Sequence, residues 1–180
     1  MGERPSPLGP QQGFADQQTI TAKGNAIGPT IEGVVVRDLT SVPDERGELV
    51  ELISSDWDDI GGDRIVHSYL STLEPGIIKG WISHALQNDR VVTVSGRIRW
   101  VLYDGREGSP TLGSVQLVTA TERRRRMVMI PPGVWHAAEN VGSGEAVFIN
   151  FPSEKYNYEA PDKARLPLDT PLIPFSFTNR

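Results

Sequence analysis

The chain contains no cysteine. That excludes a disulfide scaffold, a thiolate metal site and a cysteine nucleophile, while leaving the redox compartment open. Histidine is scarce, with three copies at His67, His84 and His136, so any imidazole chemistry rests on these. Positive charge is not in excess: 18 Lys and Arg face 23 Asp and Glu, a formal net charge of −5. A polyanion partner normally needs a basic surface, so no nucleic-acid role is expected. Apolar runs fall short of a membrane span, and no membrane association is expected. The stretch Met1–Gly13 is polar and rich in Pro, Gly and Gln, without the apolar core of a signal peptide. A cytoplasmic protein is the expectation. Sustained helical periodicity and internal repeats are absent too.

What is present suits one domain: 180 residues, 38% of them hydrophobic. Residues 1–30 read as a flexible N-terminal arm, with Pro, Gly and Gln and no apolar period. From Ile31 onward the texture changes to short apolar, β-branched runs broken by turn residues. The runs include Val34-Val35-Val36, His67–Leu73, Gly76–His84, Arg90–Val94, Arg97–Tyr103, Met127–Ile130 and Ala146–Phe151. The breaks include Asp44-Glu45-Arg46-Gly47, Glu74-Pro75-Gly76, Asp104-Gly105 and Pro131-Pro132-Gly133. Such spacing predicts an all-β sandwich or barrel of antiparallel sheets over residues 31–180, with one helical turn near Asp56–Ile60. The end of the chain, Pro152–Arg180, is rich in Pro and in aromatics (Tyr156, Tyr158, Phe175, Phe177). Those rings would expose much apolar area if free, so this tail is expected to pack on the barrel or on a second subunit.

The sharpest local signal is Pro131-Pro132-Gly133-Val134-Trp135-His136 with Asn140 beyond it. It resembles the second cupin motif, P-x-G-x-x-H-x-x-x-N, in which a tight turn launches a strand that aims its His into a jelly-roll barrel. The first cupin motif supplies a His-x-His pair, because residues two apart on a strand share a face. Here the triplet is Ile82-Ser83-His84. A metal on His84 and His136 would need help from Gln87 or Asp89, and on this ligand count no metal and no cofactor are expected.

Asp44-Glu45-Arg46-Gly47, Lys79-Gly80-Trp81, the block Asp104-Gly105-Arg106-Glu107-Gly108-Ser109-Pro110-Thr111-Leu112-Gly113, and Ile130-Pro131-Pro132-Gly133 follow one another in this order. The series resembles the dTDP-4-dehydrorhamnose 3,5-epimerase family over about Ile31 to Phe175. The resemblance implies a metal-free cupin homodimer that moves protons beside the keto group of a nucleotide-linked 4-keto-6-deoxysugar. In that family a His is the base, an Asp orients it and a Tyr is the acid. The base position falls on Ile82 and the acid position on Asn150, neither of which can carry the proton. His84, two residues beyond Ile82 and about 7 Å along a regular strand, offers a displaced base. The resemblance further implies Asp169 or Thr170 at the position of the orienting carboxylate, Tyr156 as a stacking partner of the nucleotide base, and Arg46 and Lys79 as phosphate-binding cations. Candidate catalytic residues are thus His84, His136 and Asp169. Candidate substrate-binding residues are Arg46, Lys79, Gln87, Asn150 and Tyr156.

Plainer roles compete. His67 reads as structural, Trp81 as core or dimer interface, and Trp135 as packing at the barrel mouth. Lys79 has the strand parity of Trp81, opposite to Ile82, unless a bulge intervenes. The run Arg123–Arg126 reads as a solvated hairpin connection. A second functional reading keeps the cavity for another task, as a cyclase or other secondary-metabolism enzyme or as a non-catalytic binding protein.

Overall fold

The structure, a computed structural model, describes residues 18–22, 27–60 and 65–177. Most of the expected N-terminal arm (1–17 and 23–26) lies outside the described residues. The strands in chain order are β1 (Val35–Asp38), β2 (Ser41–Asp44), β3 (Gly47–Val50), β4 (Tyr69–Leu73), β5 (Ile78–Ser83) and β6 (Asp89–Ser95). They continue with β7 (Arg97–Asp104), β8 (Val115–Thr121), β9 (Arg126–Ile130), β10 (Val134–Asn140), β11 (Ala146–Asn150) and β12 (Ala164–Arg165). The helical turn expected near Asp56 is a single 3-10 turn, Asp58–Ile60.

Two five-stranded antiparallel sheets face each other, in the orders β1-β9-β6-β11-β4 and β12-β5-β10-β7-β8. With the β2–β3 hairpin set apart, this is the expected cupin jelly roll. Period-2 alternation explains the layers. In β10, Val134 and Ala138 join the core between the sheets, whereas Ala137 and Trp135 pack on the outer face. Opposite them Val91, Val128 and Phe148 come from the first sheet, and Trp100 meets Phe148 edge to face at 5.0 Å. Both outer faces are covered as well. On the first sheet Val92, Met127 and Met129 bury against Ile60, Trp57 and Leu52. On the second, the C-terminal tail lays Ile173, Phe175 and Phe177 over Trp81, Val101 and Ala137. The tail's rings are thus spent on the barrel, and Trp81 is fully buried beneath them.

Three local features matter for the site. Gly133, with φ of 79°, makes the turn into β10, and its amide donates to the His84 carbonyl at 2.7 Å. The turn that launches one histidine therefore also holds the backbone of another. Asn140 of the same motif is a structural clamp: its amide donates to the carbonyls of Leu73 and Gly144, and its oxygen accepts from the Gly142 amide. Finally, the β5–β10 register shifts: His136 pairs Ile82 but Ala138 pairs Lys79. The extra residue on β5 falls at Gly80, where a Cβ would collide with Ala137. This bulge turns Lys79 onto the inward face with Ile82, resolving the parity conflict in the sequence. Its ammonium then reaches across to the Ser71 hydroxyl on β4, 2.8 Å away.

The arginine run is a hairpin connection between β8 and β9. Arg124 and Arg126 both pair with Asp38, and Arg125 pairs with Glu48.

Candidate active site

Asp89 opens β6 and has the parity of Val91 and Thr93, so its carboxylate enters the space between the sheets. His136 comes from the facing sheet, and His84 from the bend just past β5. Asp89 Oδ2 lies 3.2 Å from His136 Nε2 and 3.4 Å from His84 Nε2. All three residues are buried. The other ring nitrogens face backbone carbonyls: Nδ1 of His136 lies 3.1 Å from the Val134 oxygen, and Nδ1 of His84 contacts the Asp162 oxygen. The second oxygen of Asp89 accepts from the Gln87 and Asn150 amides, each at 2.8 Å. Burial of His84 opposes its charged form, but the hydrogen bond and charge of Asp89 prevail and raise its pKa above the ordinary imidazole value. Burial likewise pushes the Asp89 carboxyl up, yet the bonds from His136 and His84 hold it well below the usual carboxylate range.

One wall of this cluster opens into a cavity of about 490 Å³. His67 and Tyr69 of the β4 side, His84 and Gln87 of the bend, and Tyr156 and Lys163 of the loop 152–163 are among its lining. The loop is pinned by Asp162, whose carboxylate accepts from the backbone N–H groups of Ala85, Leu86 and Gln87. Burial raises the Asp162 pKa, but those N–H bonds prevail and lower it.

Of the residues singled out in the sequence, His84, Gln87 and Tyr156 line this cavity. His136 and Asn150 stand behind it, each bonded to Asp89. Asp169 is not brought to the histidines; it is exposed and lines a separate cavity beneath the tail with Ile77 and Phe175. Arg46 stands at the tip of the β2–β3 hairpin, paired with Asp44, its side chain 82% exposed. His67, expected to be structural, faces the cavity beside Tyr69, with ring centroids 5.9 Å apart. The carboxylate that serves the histidines is Asp89, which the sequence offered only as a metal helper. Tyr69 and Asp162 were missed outright. Tyr69 had one readable signal, the parity it shares with Leu73 on β4.

Ligand atoms of His84, Asp89 and His136 lie within 4.8 Å of one another, the one such group among the described residues that could hold a divalent cation. Ile82, the cross-strand partner of His136, adds no further ligand. The contacts are complete with protons alone, since Asp89 already accepts from four groups. Elemental analysis is expected to find no stoichiometric iron, zinc or nickel. One ion per chain that disappears in His136→Ala would refute this.

Comparison with known proteins agrees with this architecture. The family model described as dTDP-4-dehydrorhamnose 3,5-epimerase matches residues 29–173. A probable low-salt glycan biosynthesis epimerase, Agl13 of Haloferax volcanii, is 39% identical over 142 residues, covering 78% of this chain and 90% of that protein. The spore coat polysaccharide biosynthesis protein SpsL of Bacillus subtilis is 32% identical, covering 82% of this chain and 96% of its own length. Among solved structures, a dTDP sugar isomerase from Desulfovibrio desulfuricans superposes with a TM-score of 0.75 at 31% identity, covering 81% of this chain and 91% of that one.

Proposed function

The chain belongs to the dTDP-4-dehydrorhamnose 3,5-epimerase family, and on that premise we propose that it epimerises a nucleotide-linked 4-keto-6-deoxysugar by proton transfer beside the keto group. One observation carries the reading: His84 lines a cavity while its ring is backed by the buried carboxylate of Asp89. The C–H bond next to a carbonyl is weakly acidic, so the base must sit at hydrogen-bond distance and hold the proton it takes. Asp89 stabilises the imidazolium that forms, and the hydrogen bond from Nε2 to Asp89 fixes which ring nitrogen exchanges its proton. That nitrogen is Nδ1, which here donates its N–H to the Asp162 carbonyl of the cavity wall. Once Nδ1 has released that proton to solvent and the substrate has drawn the carbonyl aside, its lone pair faces the C–H bond.

Binding groups surround the base. Tyr156 lines the cavity with Lys155 and Lys163, the aromatic and cationic pieces that a nucleotide diphosphate needs. Lys79 adds a third cation on the inward face of β5. Arg46 lies outside the lining of its own subunit's cavity. The reading includes a cytoplasmic homodimer. Val42 and Leu49, 61% and 68% exposed on the β2–β3 hairpin, support assembly, since apolar side chains held out together favour a partner surface. Among the described residues no helix is long and apolar enough to cross a membrane.

The test is solvent deuterium exchange at the carbons beside the keto group of dTDP-4-keto-6-deoxyglucose. Incorporation with formation of the epimer is the expected result. No exchange, together with no thermal stabilisation by dTDP, would leave the cavity to another task.

A further inference from the structure

We propose that Tyr69 is the proton donor of this site, taking from the neighbouring strand the role that Asn150 cannot fill. The inference rests on the epimerase reading above. Asn150 of β11 and Tyr69 of β4 are direct cross-strand partners. Residues at such positions share a face, with Cβ atoms about 5 Å apart, so a phenol on either strand projects into the same region.

Hydrogen-bond bookkeeping fixes how the two side chains meet. The Asn150 Oδ1 accepts the Arg90 backbone N–H at 3.0 Å. The other end of the carboxamide must then be its NH2 group. That nitrogen has two N–H bonds to give. One goes to Asp89 Oδ1 at 2.8 Å and the other to the Tyr69 hydroxyl at 2.9 Å. The phenolic oxygen is therefore an acceptor in this pair, and its own proton is not used there. Among the described residues that hydroxyl donates to no protein group, and Tyr69 lines the cavity that His84 also lines.

The arrangement suits a donor in two ways. At rest, burial and the nearby charge of Asp89 keep the phenol protonated, against the opposing pull of the Asn150 bond. As the proton leaves, the Asn150 N–H already points at the oxygen that becomes anionic, with no reorganisation needed. In the step, His84 removes the proton from carbon and the C–H electron pair moves into the enolate. The Tyr69 O–H then breaks, and its proton forms a new C–H bond on the opposite face as the carbonyl is restored. Solvent water takes the proton from the His84 imidazolium and supplies one to the Tyr69 phenolate.

A purely structural tyrosine and a donor differ in what they do to inversion as against exchange. In D2O, with dTDP-4-keto-6-deoxyglucose, wild type should both exchange and invert. Tyr69→Phe keeps the ring and removes the proton. It should still exchange, because His84 returns a deuteron to the face it came from, while inversion falls by about 10² or more. Stabilisation by dTDP should be unchanged, which confirms a folded variant. Adding Asn150→Tyr to Tyr69→Phe should recover inversion at least about tenfold, since a phenol returns from the adjacent strand. Inversion by Tyr69→Phe at the wild-type rate would overturn the proposal. So would equal loss of exchange and inversion in a variant that binds dTDP normally, because that places Tyr69 in deprotonation. Wild type that binds dTDP but neither exchanges nor inverts would remove the epimerase reading and this proposal with it.

Discussion

Replacing His84 with alanine is expected to slow deuterium incorporation beside the keto group by about 10² to 10⁴, the usual worth of a general base. That range corresponds to about 2.7–5.5 kcal/mol of transition-state stabilisation. His136→Ala should cost less, because His136 lies behind Asp89 and outside the cavity lining. Stabilisation by dTDP should survive in the His84 variant, since the aromatic and cationic lining is elsewhere in the loop 152–163. The pH profile gives a second handle. A base works in its neutral form, so kcat/KM should rise with pH through the His84 pKa. Asp89 holds that pKa above the ordinary imidazole value, so the rising limb belongs above about pH 6.5. Asp89→Asn removes the carboxylate that favours the imidazolium, and the limb should move to lower pH. A limb that moves upward, or exchange untouched in His84→Ala, would show that another group takes the proton.

The strands were legible because each carries its own alternation and its own turn residues. The second cupin motif aimed His136 into the barrel, as its turn and strand are contiguous in sequence, although the ring ends behind Asp89 and outside the cavity lining. β2 was not legible: its Ser41–Asp44 segment contains Pro43 and is exposed throughout. Such a strand shows no period of burial and exists only as half of a hairpin. The site was readable where partners are near in sequence and opaque where they are not. Asp89 meets His136 only once two sheets are stacked, and Tyr69 meets Asn150 only once a register between distant strands is set. Asp169 followed family position alone and lies with the tail instead. Lys79 shows the converse, since one bulged residue reversed its face.

The signature block beginning at Asp104 has a use in the fold that its family specificity did not announce. The Asp104 carboxylate is fully buried at the end of β7. One oxygen accepts from the Arg106 backbone amide and Nε, at 3.1 and 2.9 Å. The other accepts from Arg106 Nη2 at 2.9 Å and from the hydroxyls of Ser109 and Thr111, each at 2.6 Å. Arg106 and Thr111 then carry the network outward, to the carbonyl and amide of Glu32. Next to Glu32, Ile31 is buried in the main core. The block therefore staples the first segment of the domain to the β7–β8 loop.

Asp104→Ala should accordingly destabilise the fold by about 3 kcal/mol, because it strands a guanidinium and two hydroxyls that are partly shielded from water. For a chain of this size that is a fall in Tm of about 6–12 °C. Asp104→Asn keeps an acceptor but loses the charge, and should fall between the two. The acid dependence distinguishes this network from simple packing. Above all the hydrogen bond from Arg106 holds the Asp104 carboxyl well below the usual range. Just below about pH 4 the unfolded chain binds a proton at Asp104 that the folded chain refuses. Stability from this group is thus complete above the ordinary aspartate pKa and is lost as pH falls toward the lowered one. Denaturant midpoints measured from pH 6 down to pH 3 should therefore converge between wild type and Asp104→Ala. A gap that stays constant over that range would assign the loss to packing, and the charge network would then carry no share of it.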